Sequence, residues 1–196
     1  RDLAQKLFRY FDLNPRQHHS RLSKGTKSLF NALVGIASRS PLSLFDEPTT
    51  GMDSAFRKDF YRALLKDYLA FPRTIILSSH LLSEIEEILE DILLLDEGRK
   101  VLHLPVTELK EWAVGLRGSR GVLAELLPKE AQDQVLHQEH FAGDQVFMVV
   151  KRELIGERLP GLKHRGIEVL PVSADDLCVY LTKRAKGGID DVFHRS

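Results

Sequence analysis

The chain has 196 residues, 43% of them hydrophobic, with 28 basic and 28 acidic side chains. That is enough apolar material for a core in one or two domains, and the balanced charge lacks the basic surplus that marks nucleic-acid binding. One cysteine, Cys178, excludes an intramolecular disulfide framework, and no apolar run approaches the ~20 residues that cross a bilayer as a helix.

In chain order, Leu3, Leu7 and Phe8 fall at helical spacing and predict a helix over residues 2–10, broken by Asn14-Pro15. Leu22-Ser23-Lys24-Gly25-Thr26 precedes a helix expected over residues 27–38. Residues 42–46 are an apolar strand ending in the paired acids Asp46-Glu47. A turn leads through Asp53 into a helix over 55–68, with Phe56, Phe60, Leu64 and Leu65 on one face. After Pro72 a second buried strand runs from Thr74 towards His80. A helix over 82–89, with its glutamates outward, then precedes a hairpin that turns at Asp96-Glu97-Gly98-Arg99. A short helix follows from Thr107 to about Trp112. Strands alternating with helices define a layered α/β core.

Past Val114 the pattern changes to a small α+β appendage. Strands are expected at 112–116, 134–140, 145–150 and 167–172, with helices at 121–127, 153–162 and 174–183. The expected domains are therefore 1–113, 114–185 and a polar tail over 186–196.

An apolar strand delivering Asp-Glu at its C-terminal tip is a device for presenting a metal ion and an attacking water to a nucleoside triphosphate. Its neighbours, in this order and at this spacing, resemble the ATP-binding cassette (ABC) ATPase family over about the first hundred residues. Leu22-Ser23-Lys24-Gly25-Thr26 sits where the family has its signature loop, 42–46 matches the Walker B strand, Glu47 the catalytic glutamate, Gly51-Met52-Asp53 the D-loop and His80 the switch histidine. The resemblance implies a P-loop NTPase-type core, ATP and Mg2+ as cofactors, and a dimer with the same or another ABC ATPase subunit. Integral membrane permease subunits would be driven through the region of residues 1–20, from a cytoplasmic position on the inner face of the membrane. Nucleic acid is not an expected partner.

The phosphate-cradling pattern G-x-x-x-x-G-K-[ST] is absent. The expectation is a cassette lacking its N-terminal half, inactive by itself as an ATPase. Lys24 and Thr26 also depart from the usual Leu-Ser-Gly-Gly-Gln signature.

By that resemblance Asp46 anchors magnesium, Glu47 faces the attacking water and His80 meets the γ-phosphate. Ser23, Lys24 and Gly25 cover ATP held by the partner subunit, and Asp53 lies at the subunit interface. Plainer readings stand beside these: a solvated acid pair, a capping or core histidine, and Ser23 and Asp53 as helix N-caps.

His18-His19 and His137…His140 lack the further ligands of a metal set. Gly115, Gly118 and Gly121 lack the context of a dinucleotide loop. The C-terminal ending from Val172 to Thr182, together with Thr50-Gly51-Met52-Asp53, resembles exporter-like cassettes. The sequence thus points to the ATPase subunit of an ABC transporter, export being the expected direction. A degenerate cassette acting as a regulatory or binding module, and a non-transport ABC protein of translation or DNA repair, are the rival readings.

Overall fold

The computed structural model describes residues 2–14, 16–127, 131 and 134–182. These residues form a mixed α/β structure of two compact units, one ending at Ile88 and the other beginning at Leu89. The division falls earlier than the expected boundary after residue 113. Strand β4 (Arg99–Pro105) runs directly into helix α4 (Val106–Trp112), and α4 buries Leu109 while packing on β4 and β5 (Ala113–Ser119). That continuity places the hairpin with the appendage. The tail expected over 186–196 lies outside the described residues.

In the first unit, α1 (Asp2–Tyr10) matches its expected span, and Phe8 stacks on Phe30 of α2 (Lys24–Ser38) with ring centroids 5.3 Å apart. Helix α2 starts three residues before the expected 27 because Ser23 caps it, so Lys24, Gly25 and Thr26 form the helix's first turn. Strand β1 (Leu42–Asp46) pairs in parallel with β2 (Thr74–Ser78), and α3 (Ser54–Ala70) crosses between them. The core joins Leu29, Leu33 and Ile36 of α2, Phe45 of β1, and Phe60 and Leu64 of α3. Of the expected α3 face, Phe56 is 40% exposed, with its ring edge against buried Phe11. The outer face of the parallel pair is bare: Leu44 and Ile76, neighbours in register, are 69% and 56% exposed. Parallel strands are ordinarily covered on both faces.

The helix expected over 82–89 is two short 3-10 segments, Leu82–Glu84 and Glu86–Ile88. Like charges at Glu84/Glu87 and Glu86/Glu90 sit three and four residues apart, a spacing that disfavours an α-helix. The carboxylate of Glu84 is drawn instead to Arg57.

The second unit begins with the hairpin of β3 (Asp91–Asp96) and β4. Glu97 and Gly98 at its turn both have positive φ, as a two-residue primed turn requires. A four-stranded antiparallel sheet follows in the order β6-β7-β5-β8, with α5 (Arg120–Leu126) between β5 and β6 (Val135–His140). This is a split βαβ arrangement, in which β7 (Gln145–Lys151) inserts between β5 and β6. The helix expected over 153–162 is a run of 3-10 turns. Gly156 at φ 40, Pro160 and Gly161 interrupt the regular ladder that an α-helix needs. Strand β8 (Glu168–Leu170) and α6 (Ala174–Thr182) close the unit. Its core gathers Leu116, Val146 and Val150 from the sheet, Leu123 and Leu126 from α5, Ile155 and Leu162 from the 3-10 region, and Ile167 just before the last strand.

Candidate active site

A parallel pair places the C-terminal ends of its strands at the same edge. In unit one that edge carries Asp46 and Glu47 from β1, and Ser78 and His80 from β2 and the residues after it. The register sets Asp46 beside Ser78. The Ser78 hydroxyl donates to Asp46 Oδ1 at 2.6 Å and accepts the Glu47 N–H at 2.9 Å.

Glu47 leaves the strand with φ 44, in the left-handed region. For a residue with a β-carbon that conformation costs about 1–3 kcal/mol and persists only where surrounding contacts impose it. Both Glu47 carboxylate oxygens lie within hydrogen-bonding distance of His80 Nδ1, at 2.9 and 2.8 Å. An ionised carboxylate only accepts, so Nδ1 carries the proton in this pair. The opposite nitrogen, Nε2, is then the one available to another group. The Glu47 side chain is 37% exposed and that of His80 70%, so the pair is open to solvent.

The turn that follows is pinned from beneath. Pro48, Thr49 and Met52 are buried. Thr49 Oγ1 meets the Tyr61 hydroxyl of α3 at 3.1 Å, and burial pushes the Tyr61 phenol above its usual pKa. Arg57, also on α3, grips three oxygens: Nε and Nη2 donate to the two Glu84 oxygens at 2.9 and 2.8 Å, and Nη1 donates to the Met52 carbonyl at 3.0 Å. The hydrogen bonds to Glu84 raise the pKa of Arg57 further above its already high value. One guanidinium thereby joins the turn after β1 to the segment after His80. Glu84, read from the sequence as part of a solvated face, is the acid of this fork.

Asp53 accepts the Phe56 N–H at 2.9 Å and caps α3, the plainer of its two expected uses. Ser23 likewise caps α2: its hydroxyl accepts the Thr26 N–H at 3.1 Å and lies 2.7 Å from Thr26 Oγ1. Gly25 has a packing reason of its own. A β-carbon built on it would stand 2.0 Å from the Gly51 carbonyl oxygen, and Gly51 has φ 78. Glycine at both positions lets the first turn of α2 lie directly on the turn after β1. Lys24 is exposed beside them.

Asp46, Glu47, Ser78, His80 and the turn to Asp53 thus share one edge. Ser23, Lys24 and Gly25 sit on the helix start that packs against that turn. Ser78, Arg57, Tyr61 and Glu84 were not among the expected site residues. Ser78 had a signal, since its place in the strand before His80 puts it in register with Asp46. The Arg57–Glu84 fork had none, because its partners stand 27 residues apart on surfaces that read as ordinary polar faces.

One Asp46 oxygen accepts from Ser78 and the other is left for a ligand, a donor set that would suit a hard cation such as magnesium, which takes few protein carboxylates and keeps its waters. Among the described residues no group of three or more His, Cys, Asp or Glu side chains converges as a metal cluster. In the second unit, His137 stacks on Tyr180 at 4.2 Å, whereas His140 lies 3.1 Å from Arg120. Gly115 lies under the Phe147 ring, which a β-carbon there would meet at 2.7 Å.

Adjacent acids at the tip of a parallel strand, a histidine just beyond the tip of its neighbour and a capped helix start lying on the turn after β1 thus converge on one edge. In sequence the chain is similar to ATP-binding proteins of ABC transporters. It is 28% identical to the ABC transporter ATP-binding protein YtrB of Bacillus subtilis over 55% of this chain and 37% of that protein. It is 26% identical to the Nod factor export ATP-binding protein I of Ralstonia nicotianae over 83% and 53%. With the bacitracin transport ATP-binding protein BcrA of Bacillus licheniformis it shares 30% identity over 62% and 38%. The family model "AAA domain, putative AbiEii toxin, Type IV TA system" matches residues 12–86. A solved structure described as a cobalt transport ATP-binding protein covers 76% of this chain and 52% of its own, at 20% identity and a TM-score of 0.46, a likeness too remote to carry weight. The chain spans about half the length, or less, of these curated relatives.

Proposed function

We propose that this chain serves ATP binding and hydrolysis in an ABC transporter, working with a second ATPase subunit and with separate membrane permeases. The observation that carries the reading is the contact of Glu47 with His80, 2.8 Å apart at the tips of paired parallel strands and next to Asp46. In this reading Asp46 holds the magnesium of Mg-ATP, and that ion, when bound, neutralises phosphate charge. Glu47 orients the attacking water and takes up its proton. His80 holds the Glu47 carboxylate through Nδ1–H and turns its other nitrogen towards the terminal phosphate. Ser23, Lys24 and Gly25 stand at the start of a 15-residue helix, where free N–H groups and the helix dipole favour an anion. They would meet nucleotide held by the second subunit.

Export is the direction we favour, because the Nod factor relative is named for it and because of the Thr50-Gly51-Met52-Asp53 turn. Among the described residues no helix is long and apolar enough to cross a membrane; in this reading the chain acts on the cytoplasmic face of separate permeases. These 196 residues hold no G-x-x-x-x-G-K-[ST] loop. By themselves they should show no ATP turnover above background.

The test is Glu47→Gln in the native assembly. ATP should remain bound while phosphate release falls by about 100-fold or more. Unchanged release removes Glu47 from its role and favours a second reading, a cassette retained as a binding or regulatory module. Lys24 and Thr26 favour that second reading, since both depart from the signature pattern.

A further inference from the structure

Ser78 stands opposite Asp46 in the parallel register, and its hydroxyl is used twice. It donates to Asp46 Oδ1 at 2.6 Å and accepts the Glu47 N–H at 2.9 Å. The Glu47 carbonyl is engaged separately, by the Thr50 N–H at 3.1 Å. Both backbone groups of Glu47 are therefore tied, one into the turn and one across to the neighbouring strand. Between those ties the residue has φ 44. Glutamate has no short polar side chain of the kind that lets Asn or Asp settle there. The strained conformation comes from what holds Glu47, and Ser78 holds its N–H.

We propose that Ser78 is a positioning residue: its hydroxyl fixes Glu47 in the left-handed conformation and orients the Asp46 carboxylate, so that the two adjacent acids leave the strand with separate aims. This rests on the roles given above to Asp46 and Glu47.

In an extended chain Asp46 and Glu47 would point to opposite faces of the strand. The left-handed step at Glu47 takes its side chain out of that alternation and to the His80 ring, with both oxygens within 2.9 Å of Nδ1. If Glu47 relaxes towards extended backbone, that contact is lost and the carboxylate no longer faces the same space. Asp46 is constrained at the same time. One of its oxygens accepts the Ser78 O–H, which leaves the other for a cation or a cation-bound water. Such one-oxygen use suits magnesium. A side chain without a hydroxyl at position 78 loses both effects together. Threonine keeps both and suits a strand.

The experiment measures Mg-ATP hydrolysis by the native assembly carrying Ser78→Ala, Ser78→Thr or Glu47→Gln. It also measures amide hydrogen exchange at Glu47 in the unsubstituted protein. Ser78→Ala should lower kcat roughly 10- to 100-fold, as displacement of a reacting group does, with KM for ATP held within about twofold. Ser78→Thr should restore kcat, and the Glu47 amide should be protected. Full kcat for Ser78→Ala beside an inactive Glu47→Gln overturns the proposal and leaves the functional reading intact. Full kcat for Glu47→Gln overturns that reading and the proposal with it. Should Ser78→Ala fail to fold, the other two measurements decide: an unprotected Glu47 amide, or failure of Ser78→Thr to sustain turnover, also overturns the proposal.

Discussion

The two units handle polar side chains in opposite ways, and strand direction accounts for the difference. In the first unit β1 and β2 are parallel, so the groups at their C-terminal ends meet at one edge: Asp46, Glu47, Ser78 and His80. In the second unit every sheet pairing is antiparallel, so C-terminal ends alternate between the two edges. There the charged groups pair locally on the surface, as Arg117 with Glu168 and Arg165 with Glu125, and no comparable cluster forms among the described residues. A parallel arrangement collects chemistry and an antiparallel one disperses it, which is the physical content of the rule that open α/β sheets bind ligands at the carboxyl ends of their strands. Apolar side chains do not follow that division: the first unit leaves Leu44 and Ile76 bare on its sheet and the second leaves Leu93 and Leu95 of β3 bare, although it also gathers a continuous apolar core around Leu116.

If this contrast holds, the largest functional effect belongs to the first unit. Glu47→Gln should cost about 100- to 10,000-fold in turnover, the usual worth of a positioned base, as phosphate release in the native assembly would show. His80→Ala should follow the same direction. A second-unit substitution that abolished turnover without unfolding the protein would break the contrast.

The largest stability effect is also expected in the first unit. Asp67 of α3 and Arg73, just before β2, form an ion pair at 2.9 Å, with each side chain only 5% exposed, and Arg39 joins from the surface at 2.7 Å. Asp67→Ala would leave the Arg73 charge buried without its counter-ion, at a cost of about 3–5 kcal/mol. Chemical denaturation measures it, and a loss below 1 kcal/mol would show that the pair is far wetter than its burial indicates.

Leu116→Ala tests the other side. Leu116 is fully buried in the sheet of the second unit, so removing its side chain should cost about 2–5 kcal/mol. Below the unfolding transition turnover should be retained. Loss of turnover in protein that remains folded would mean that the second unit contributes to the chemistry after all.

Much of this contrast was legible beforehand, for identifiable reasons. The strands at 42–46 and 74–78, the hairpin at Glu97-Gly98 and the helices α1, α3 and α6 each combine apolar period with a cap or turn residue at the boundary, so local and long-range preferences agree. The acids at 46 and 47 and the histidine at 80 were readable because each ends an apolar run. The misses came where local pattern and local chemistry conflict. The 82–89 segment has helical spacing but stacked glutamates, and the 153–162 segment has helical spacing but Gly156, Pro160 and Gly161. The division between the compact units falls before the hairpin rather than after residue 113, and α4 follows β4 without a loop that would mark it in the sequence. The Arg57–Glu84 fork and the strained φ of Glu47 are tertiary facts that no local pattern announces.

The smallest effect separates two uses of one residue. Ser23 caps α2 through the Thr26 N–H, and in the proposed function it also faces nucleotide on a second subunit. Ser23→Ala removes both uses and should cost about 1 kcal/mol in stability, the ordinary worth of an N-cap. Ser23→Asp separates them. Aspartate caps a helix as well as serine does, so stability should return to that of the unsubstituted protein. A carboxylate at this position would nonetheless repel a phosphate brought against the helix start. ATP-dependent association of the subunits, followed by size-exclusion chromatography, should therefore weaken in Ser23→Asp while its unfolding midpoint stays normal. Unimpaired association would confine Ser23 to capping, and Lys24 and Gly25 would then carry whatever the start of α2 offers to nucleotide.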